Sequence, residues 1–293
     1  MIESIVLRNK TTLQSVLLDK EVSEFVLDTT DLGTVKGTHH SYSYLNQVGV
    51  YIDSTTLGQR TISINGWVIG DTYSELDLNK STLNRLINPL HYIDIVYDNK
   101  YKLTFKPDFS VQYSTSYQDN NEVLCKFLIQ GTCPDPMFTT KDRISSLVAS
   151  TTPEFRFPLV IPKTTGVIMG LRKQSLVVTL SNEGDIKTGL SIEVTCSGTV
   201  VNPQITNLDT QEVIKVNKTL VSEERLVIST ASGEKYIKGI LNGMEYNYFK
   251  YMDFDSSWIQ LQVGENRLKY TAESGVNNLS VSVSFLPKYL EVQ

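Results

Sequence analysis

Side chains alternate between apolar and polar with a period of two along most of this chain. Only an extended backbone sends successive side chains to opposite faces, so the pattern commits the chain to half-buried β-strands. "RTISINGWVI" (60–69) alternates and loosens at Gly66, and "YIDIVYDNKYKLTF" (92–105) reads as two strands around Asp98-Asn99-Lys100. "VQYSTSYQ" (111–118) alternates through Val111, Tyr113, Thr115 and Tyr117. "NEVLCKFLIQG" (121–131) is apolar nearly throughout, as expected of a central strand buried on both faces. One segment departs from the period. In "DLNKSTLNRLINPLH", Leu83, Leu86, Ile87 and Leu90 recur at helical spacing, with Asn79 or Ser81 as cap and Pro89 as stop. This predicts a short amphipathic helix over 79–88, structural, with Leu86 on its inner face.

The fold class expected is therefore mainly β, in two domains. Residues 1–138 form an N-terminal β-barrel-like or sheet domain carrying the one helix. "CPDPMF" (133–138) closes it, and the Pro- and Ser/Thr-rich stretch that follows makes 139–162 a connector. From 163 to 293 short strands recur between Gly/Asn/Asp breaks such as "SNEGD", "SGTVVNP" and "NGME", which predicts a β-sandwich of jelly-roll type. In "WIQLQVGENRLKY" (258–270), two alternating runs flank "VGEN". It reads as a hairpin turn, with Gly264 permitting the bend and Glu265 and Asn266 in solvent.

Catalytic signatures are missing. The chain has no G-x-S-x-G, H-E-x-x-H, G-x-x-x-x-G-K-[ST] or G-x-G-x-x-G. His39 and His40 are adjacent, so on extended backbone they diverge; they read as loop surface, and His91 as lying at the helix C-terminal end. Cys125, Cys133 and Cys196 are odd in number and without C-x-x-C, which predicts buried free thiols rather than a disulfide framework or zinc site. Asp253, Asp255 and Glu265 lie near Trp258 and are the candidates for a glycosidase pair or sugar site, but "YMDFDSSW" reads first as a turn. The sequons at Asn9, Asn79, Asn217 and Asn278 carry no weight without secretion. No residue is singled out as catalytic, cofactor-binding or metal-ligating, no cofactor is expected, and the chain is read as no enzyme. The 15 tyrosines cluster at 42–51, 92–117 and 246–251, which suits either strand packing or protein–protein contact.

Charge adds a clue. The net charge of −5 argues against a nucleic-acid footprint. Residues 1–138 hold 16 acids against 11 Lys/Arg, while 139–293 balance at 16 and 16, so the whole excess lies in the first half. Asp19, Glu21, Glu24, Asp28 and Asp31 face only Lys20 in "DKEVSEFVLDTTD". No apolar run reaches the ~20 residues that span a bilayer, and "MIESIVLRNK" does not read as a secretory signal, so no membrane role and a cytoplasmic origin are expected.

Several stretches, in order, resemble one family. They are "LGQRTISINGWVIG", "KSTLNRLINPLHYIDIVYDNKYKLTF" and "NNEVLCKFLIQGTCPDPMF" in the first half. In the second they are "FRFPLVIP", "LSNEGDIKTGLSIEVTCSGTVVNPQITNLDTQEVIKVNKTL" and "WIQLQVGENRLKYTAESGVNNLSVSVSFLPKYLEV". The chain is similar over almost its whole length to the distal tail proteins of long-tailed bacteriophages, the siphovirus-type tail component family. The resemblance implies a first domain that closes into a hexameric ring and a galectin-like sandwich that projects outward. The ring would join the tail tube protein to the tail-associated hub or tail fibre protein and to receptor-binding or baseplate proteins, with a central channel for DNA and no specific nucleic-acid binding. It implies a virion tail-tip location, assembly in the host cytoplasm, and no catalytic residues to carry over. Two stretches depart from the family pattern, "VSEER" (221–225) and the final "YLEV", and both read as reshaped surface turns. The rival reading is a cell-wall glycan-binding or glycan-cleaving accessory module.

Overall fold

The computed structural model describes residues 3–21, 23–46, 48–147, 150–153, 170–173 and 177–292. Contacts divide the chain into two compact units, Met1–Lys141 with Tyr289–Gln293, and Asp142–Lys288. The last five residues thus group with the first unit rather than ending the sandwich. Most of the Pro-rich stretch read as a connector, 154–162, lies outside the described residues.

The first unit is built from β1 (Ser4–Asn9), β2 (Ser15–Asp19), β3 (Phe25–Asp31), β4 (Gly37–Tyr42), β5 (Tyr51–Leu57), β6 (Arg60–Ile69), α1 (Tyr73–Leu86), β7 (Ile93–Tyr97), β8 (Tyr101–Pro107), β9 (Gln112–Tyr113), β10 (Leu124–Cys133) and β11 (Phe138–Thr140). Strands run in the order β8-β7-β1-β2-β3-β6-β10, and β10 pairs back to β8, which closes the sheet into a barrel. Closure removes open edges, and alternation sends one side of each strand inward. In β6 and β10 this buries Ile62, Ile64 and Val68 against Cys125, Phe127 and Ile129. The weakest seam is β2–β3, a parallel contact at Asp19 and Val26 alone. Between the paired Tyr97 and Tyr101 the loop is Asp98-Asn99-Lys100, in which Asp98 and Asn99 both take positive φ (50° and 49°), the geometry of a primed hairpin turn.

The helix starts earlier and is longer than its apolar spacing suggested. Thr72 caps it by accepting from the Glu75 amide (3.3 Å), and Glu75 Oε2 reaches back to the Asp71 amide (3.0 Å). Its buried face is Leu76, Asn79, Leu83 and Leu86, while Leu90 lies beyond the end and is exposed. Asn79 is therefore no cap; it is inside the helix and donates to the Ile69 carbonyl (2.8 Å). Asn9 Nδ2 donates to the Leu86 carbonyl at the other end (2.8 Å) and meets His91 Nδ1 at 3.1 Å. Asn9 and Asn79 are buried, so neither is an accessible sequon. Two further expectations change. Of 111–118 only Gln112–Tyr113 pairs as strand, and β10 alternates in burial instead of being covered on both faces.

The second unit contains β12 (Ile144–Leu147), β13 (Ser150–Pro153), β14 (Gly170–Lys173), β15 (Val177–Asn182), β16 (Thr188–Cys196), β17 (Val200–Asn207), β18 (Val213–Lys215), β19 (Thr219–Leu220), β20 (Arg225–Ser229), β21 (Tyr236–Leu241), β22 (Met244–Asn247), β23 (Gln260–Leu261), β24 (Gly264–Ser274) and β25 (Leu279–Phe285). One sheet runs β12-β25-β16-β20-β21-β22 with β23 on β16; the other runs β15-β24-β17-β18 with β19 on β17. Inner side chains of both sheets, among them Ile192, Val194, Ile228 and Val283 from one and Ile205, Leu268 and Tyr270 from the other, share one core. This is the sandwich that the alternation predicted. A last strand, β26 (Lys288–Tyr289), joins the barrel sheet beside β11.

Candidate assembly surfaces

Among the described residues the β4–β5 hairpin pairs with nothing but itself, and every residue of both strands is exposed. Its far end is apolar: Leu45 is 95% and Val48 101% exposed, with Tyr44 and Val50 beside them. The Tyr42 ring lies 5.4 Å from Tyr44 and 5.2 Å from Tyr51, so the tyrosines brace one another. An isolated two-stranded hairpin is marginal in water, and contiguous exposed apolar surface marks an interaction site. His39 and His40, expected on a loop, lie in β4. His39 Nδ1 meets Thr55 Oγ1 at 2.9 Å and His40 Nε2 meets Thr56 Oγ1 at 3.4 Å, both across to β5. They share no ligand position.

Arg60, at the start of β6, is fully buried. Its Nε donates to the Pro136 carbonyl (2.9 Å) and Nη1 to those of Leu32 (3.2 Å) and Gly33 (3.0 Å). Nη2 donates to the Leu290 carbonyl, the Glu291 carboxylate sits 3.3 Å away, and the guanidinium lies 4.7 Å above the Phe138 ring. A guanidinium has five donors in a rigid fork, which lets one side chain satisfy carbonyls from three segments. The "YLEV" ending is thus part of this clamp rather than a reshaped surface turn. Nothing in the periodicity marks Arg60, because it occupies a position where an apolar residue would continue the alternation.

Of the carboxylates near Trp258, Asp253 makes a turn, while Glu265 lies in β24. Asp253 Oδ1 accepts from the Asp255 amide (3.0 Å) and Oδ2 from Asn217 Nδ2 (2.8 Å). These bonds, Asn217's first, hold its carboxyl below the ordinary range, the wrong direction for a general acid. Asp255 and Glu265 are exposed. The "VGEN" stretch is no hairpin turn: β23 pairs with β16 in one sheet, while β24 pairs with β15 and β17 in the other. It is the corner at which the chain crosses between sheets. Gly264 takes φ 89° there. Asn266 is fully buried rather than solvated, accepting from the Gln262 amide (2.8 Å) and donating to the carbonyls of Gln262 (2.8 Å) and Gly264 (2.9 Å).

All three cysteines are buried and free; burial pushes the Cys133 thiol up to about 12 and the Cys196 thiol up to about 11. Among the described residues no group of three or more His, Cys, Asp or Glu is placed to hold a metal ion. No described helix is long and apolar enough to cross a membrane. Asp28 has a partner the local sequence did not reveal, Lys126 on β10 at 3.3 Å.

Two family models match the two units. The phage tail protein RIFT-related domain covers residues 18–129, and the siphovirus-type tail component C-terminal domain covers 183–289. The chain belongs to the siphovirus-type distal tail proteins. The crystal structure of SPP1 Dit (gp 19.1), described as a paradigm of the hub adsorption apparatus in phages infecting Gram-positive hosts, is similar with a TM-score of 0.66 at 15% identity, covering 97% of this chain and 98% of that one. A chain of the phage p2 baseplate in its activated conformation with Ca is similar with a TM-score of 0.58 at 11% identity, covering 100% of both. None of the curated proteins matches the chain. The protein is a component of a phage tail, and its place is the virion tail.

Within this distal tail protein, the "VSEER" departure has a consequence in the core. Glu224 is 1% exposed, so the stretch is not merely a surface turn. Its carboxylate accepts from Tyr248 Oη (2.7 Å), Lys218 Nζ (2.9 Å) and the Val221 amide (2.9 Å). Burial alone would push this carboxyl up; the bonds from Tyr248, Val221 and Lys218 outweigh it and hold the carboxyl below its ordinary value. The Tyr248 ring occupies the space left by the missing side chain of Gly239 on β21, where a Cβ would overlap it. Lys218 Nζ lies 4.6 Å over that ring.

Proposed function

We propose that this tail component closes, through its first unit, into a ring of six copies that joins the tail tube to the hub and the receptor-binding apparatus. The observation that carries the reading is the β4–β5 arm, which leaves the barrel with both faces exposed and an apolar tip. A patch that packs on a different patch of the next copy makes a heterologous contact, and heterologous contacts that close generate a ring. The baseplate and hub settings of the two structural neighbours support a place at the tail tip. The role is structural, without turnover, and assembly takes place in the host cytoplasm. The test is the mass of the purified full chain in solution: six copies support the ring, and a monomer at all concentrations overturns it.

The ring would leave a central passage for DNA. Six first units at −5 carry 6 × −5 = −30, a charge that repels a phosphate backbone. Glu21, Glu24 and Asp31 are exposed, as is Asp28 beside Lys126. We propose that some of these carboxylates line or rim the passage. Lysine at all four, with the ring intact, is expected to slow DNA release from assembled particles; unchanged release with an intact ring rejects the acidic rim without touching the ring itself.

A further inference from the structure

The outer face of the β21–β22 hairpin carries a groove of 320 Å³ lined by Lys235, Tyr236, Lys238, Glu245, Asn247 and Phe249. Register sets its floor. Lys238 lies opposite Asn247, and Lys238 Nζ reaches Glu245 Oε2 at 3.1 Å, so these three share one face. Tyr236, two residues before Lys238, shares it as well, with Lys238 Nζ 4.9 Å over its ring. One end is closed by Phe249, which is 51% exposed and stacks on Trp258 at 6.1 Å; Lys235 Nζ sits 5.5 Å over Trp258. The floor therefore alternates flat aromatic surface with an ammonium donor, a carboxylate acceptor and a carboxamide. Asn247 Oδ1 already accepts from the Phe249 amide (2.9 Å), leaving its NH2 group as a donor.

We propose that this groove is a saccharide-binding site that takes pyranose units of a neutral polysaccharide. A pyranose has an apolar C–H face and a rim of hydroxyls that both donate and accept. A site for it needs aromatic faces to cover the first and mixed donors and acceptors for the second, which is the inventory here. The volume lies at the small end of the ~300–1,000 Å³ range of ligand pockets, the scale of one or two rings. An extended peptide suits the groove less well. It would add to the open edge of β22, which is four residues long and offers few backbone bonds. Single-stranded nucleic acid would meet Glu245 where such sites place only cations. The site is independent of ring formation.

Each unit holds one tryptophan, Trp67 on β6 and Trp258 under Phe249, so Trp67→Phe in the full chain leaves Trp258 as the reporter. Neutral oligosaccharides of glucose, galactose, N-acetylglucosamine and rhamnose are titrated against it, alongside an extended apolar peptide and an oligothymidylate. The expected result is a saturable change in Trp258 emission with at least one sugar. Phe249→Ala and Lys238→Met should each weaken it about tenfold, the loss typical of truncating a central contact. Tyr117→Ala, an exposed tyrosine of the other unit, should leave it unchanged. Three outcomes overturn the proposal: no sugar response up to about 10 mM, well beyond the weak end of measurable affinity; a response that survives both substitutions; or a response to the peptide or oligothymidylate alone, which makes the groove a protein or nucleic-acid contact.

Discussion

Two hairpins leave the body of their units in different ways. Among the described residues the β4–β5 arm pairs with no strand of the barrel, and its strands are exposed along their full length. The β21–β22 hairpin also ends in exposed residues, but β21 belongs to a six-strand run of the sandwich and its Gly239 receives the Tyr248 ring from behind. That ring is fixed by Glu224, and Glu224 by Lys218. One hairpin draws its order from within its own unit. The other has only its own tyrosine contacts, and in the ring proposed above its tip would be covered by a neighbouring copy. The contrast separates residues that set stability from residues that set assembly.

The largest stability effect should follow from removing the centre of the anchored hairpin. Glu224→Ala leaves the Tyr248 hydroxyl, the Lys218 ammonium and the Val221 amide without their acceptor. Breaking a buried charged network by deleting one member costs about 3 kcal/mol or more. Denaturant unfolding read at Trp258 should show that loss. A change below about 0.5 kcal/mol, the range of ordinary surface substitutions, would mean that the second hairpin is no better anchored than the arm.

Acid should act on the same point. Glu224 is held below its ordinary value of 4.5 in the folded chain. A group whose folded pKa is depressed stabilises the fold above its unfolded pKa, and the contribution is lost as pH falls through the folded value. The sandwich should therefore lose stability as pH drops below about 4.5, and Glu224→Gln should flatten that dependence while lowering stability at neutral pH. Equal acid sensitivity in the two proteins would assign the loss to other carboxylates. A smaller effect is expected at Gly239→Ala, where the added methyl overlaps the Tyr248 ring. Overpacking of this kind costs about 1–3 kcal/mol, and a neutral result would show that Tyr248 can swing away without loss.

Period-two patterning revealed the strands because half-burial is a local property of each strand. β6 falls on 60–69 and the 92–105 hairpin turns where Asp98-Asn99 required. The helix was legible from Leu83 and Leu86, but its start was not, since Thr72 and Glu75 signal a cap rather than a period. Long-range polar structure left the least trace. Arg60 looks like an exposed charge until three segments converge on it, and Glu224 sits in a run of charges that reads as a turn. Asn266 was misread for a related reason: a Gly-Glu-Asn stretch suits a hairpin turn and a crossing between sheets equally, and only pairing with β16 on one side and β15 and β17 on the other distinguishes them. The arm left a trace only in its tyrosines, which suit strand packing and protein–protein contact equally. What sets it apart is the absence of a surface to pack on, which no local window contains.

The smallest effect on the isolated chain should come from the arm tip, and this is the sharpest form of the contrast. Leu45 and Val48 are almost wholly exposed, so Leu45→Ser with Val48→Ser removes no contact within the chain. The thermal midpoint of dilute, unassembled protein should move by no more than about 0.5 kcal/mol equivalent. Assembly should respond in the opposite way. Apolar side chains that become buried between copies contribute about 1.5–3 kcal/mol each. In a closed ring the loss recurs at every interface, so the concentration needed for assembly should rise steeply. Light scattering on a dilution series of the full chain reads both quantities. Loss of monomer stability would mean that the arm packs on its own barrel. Unchanged assembly with unchanged stability would mean that the tip touches no neighbouring copy, and the contact that builds the ring would have to be sought elsewhere, first at the weak β2–β3 seam.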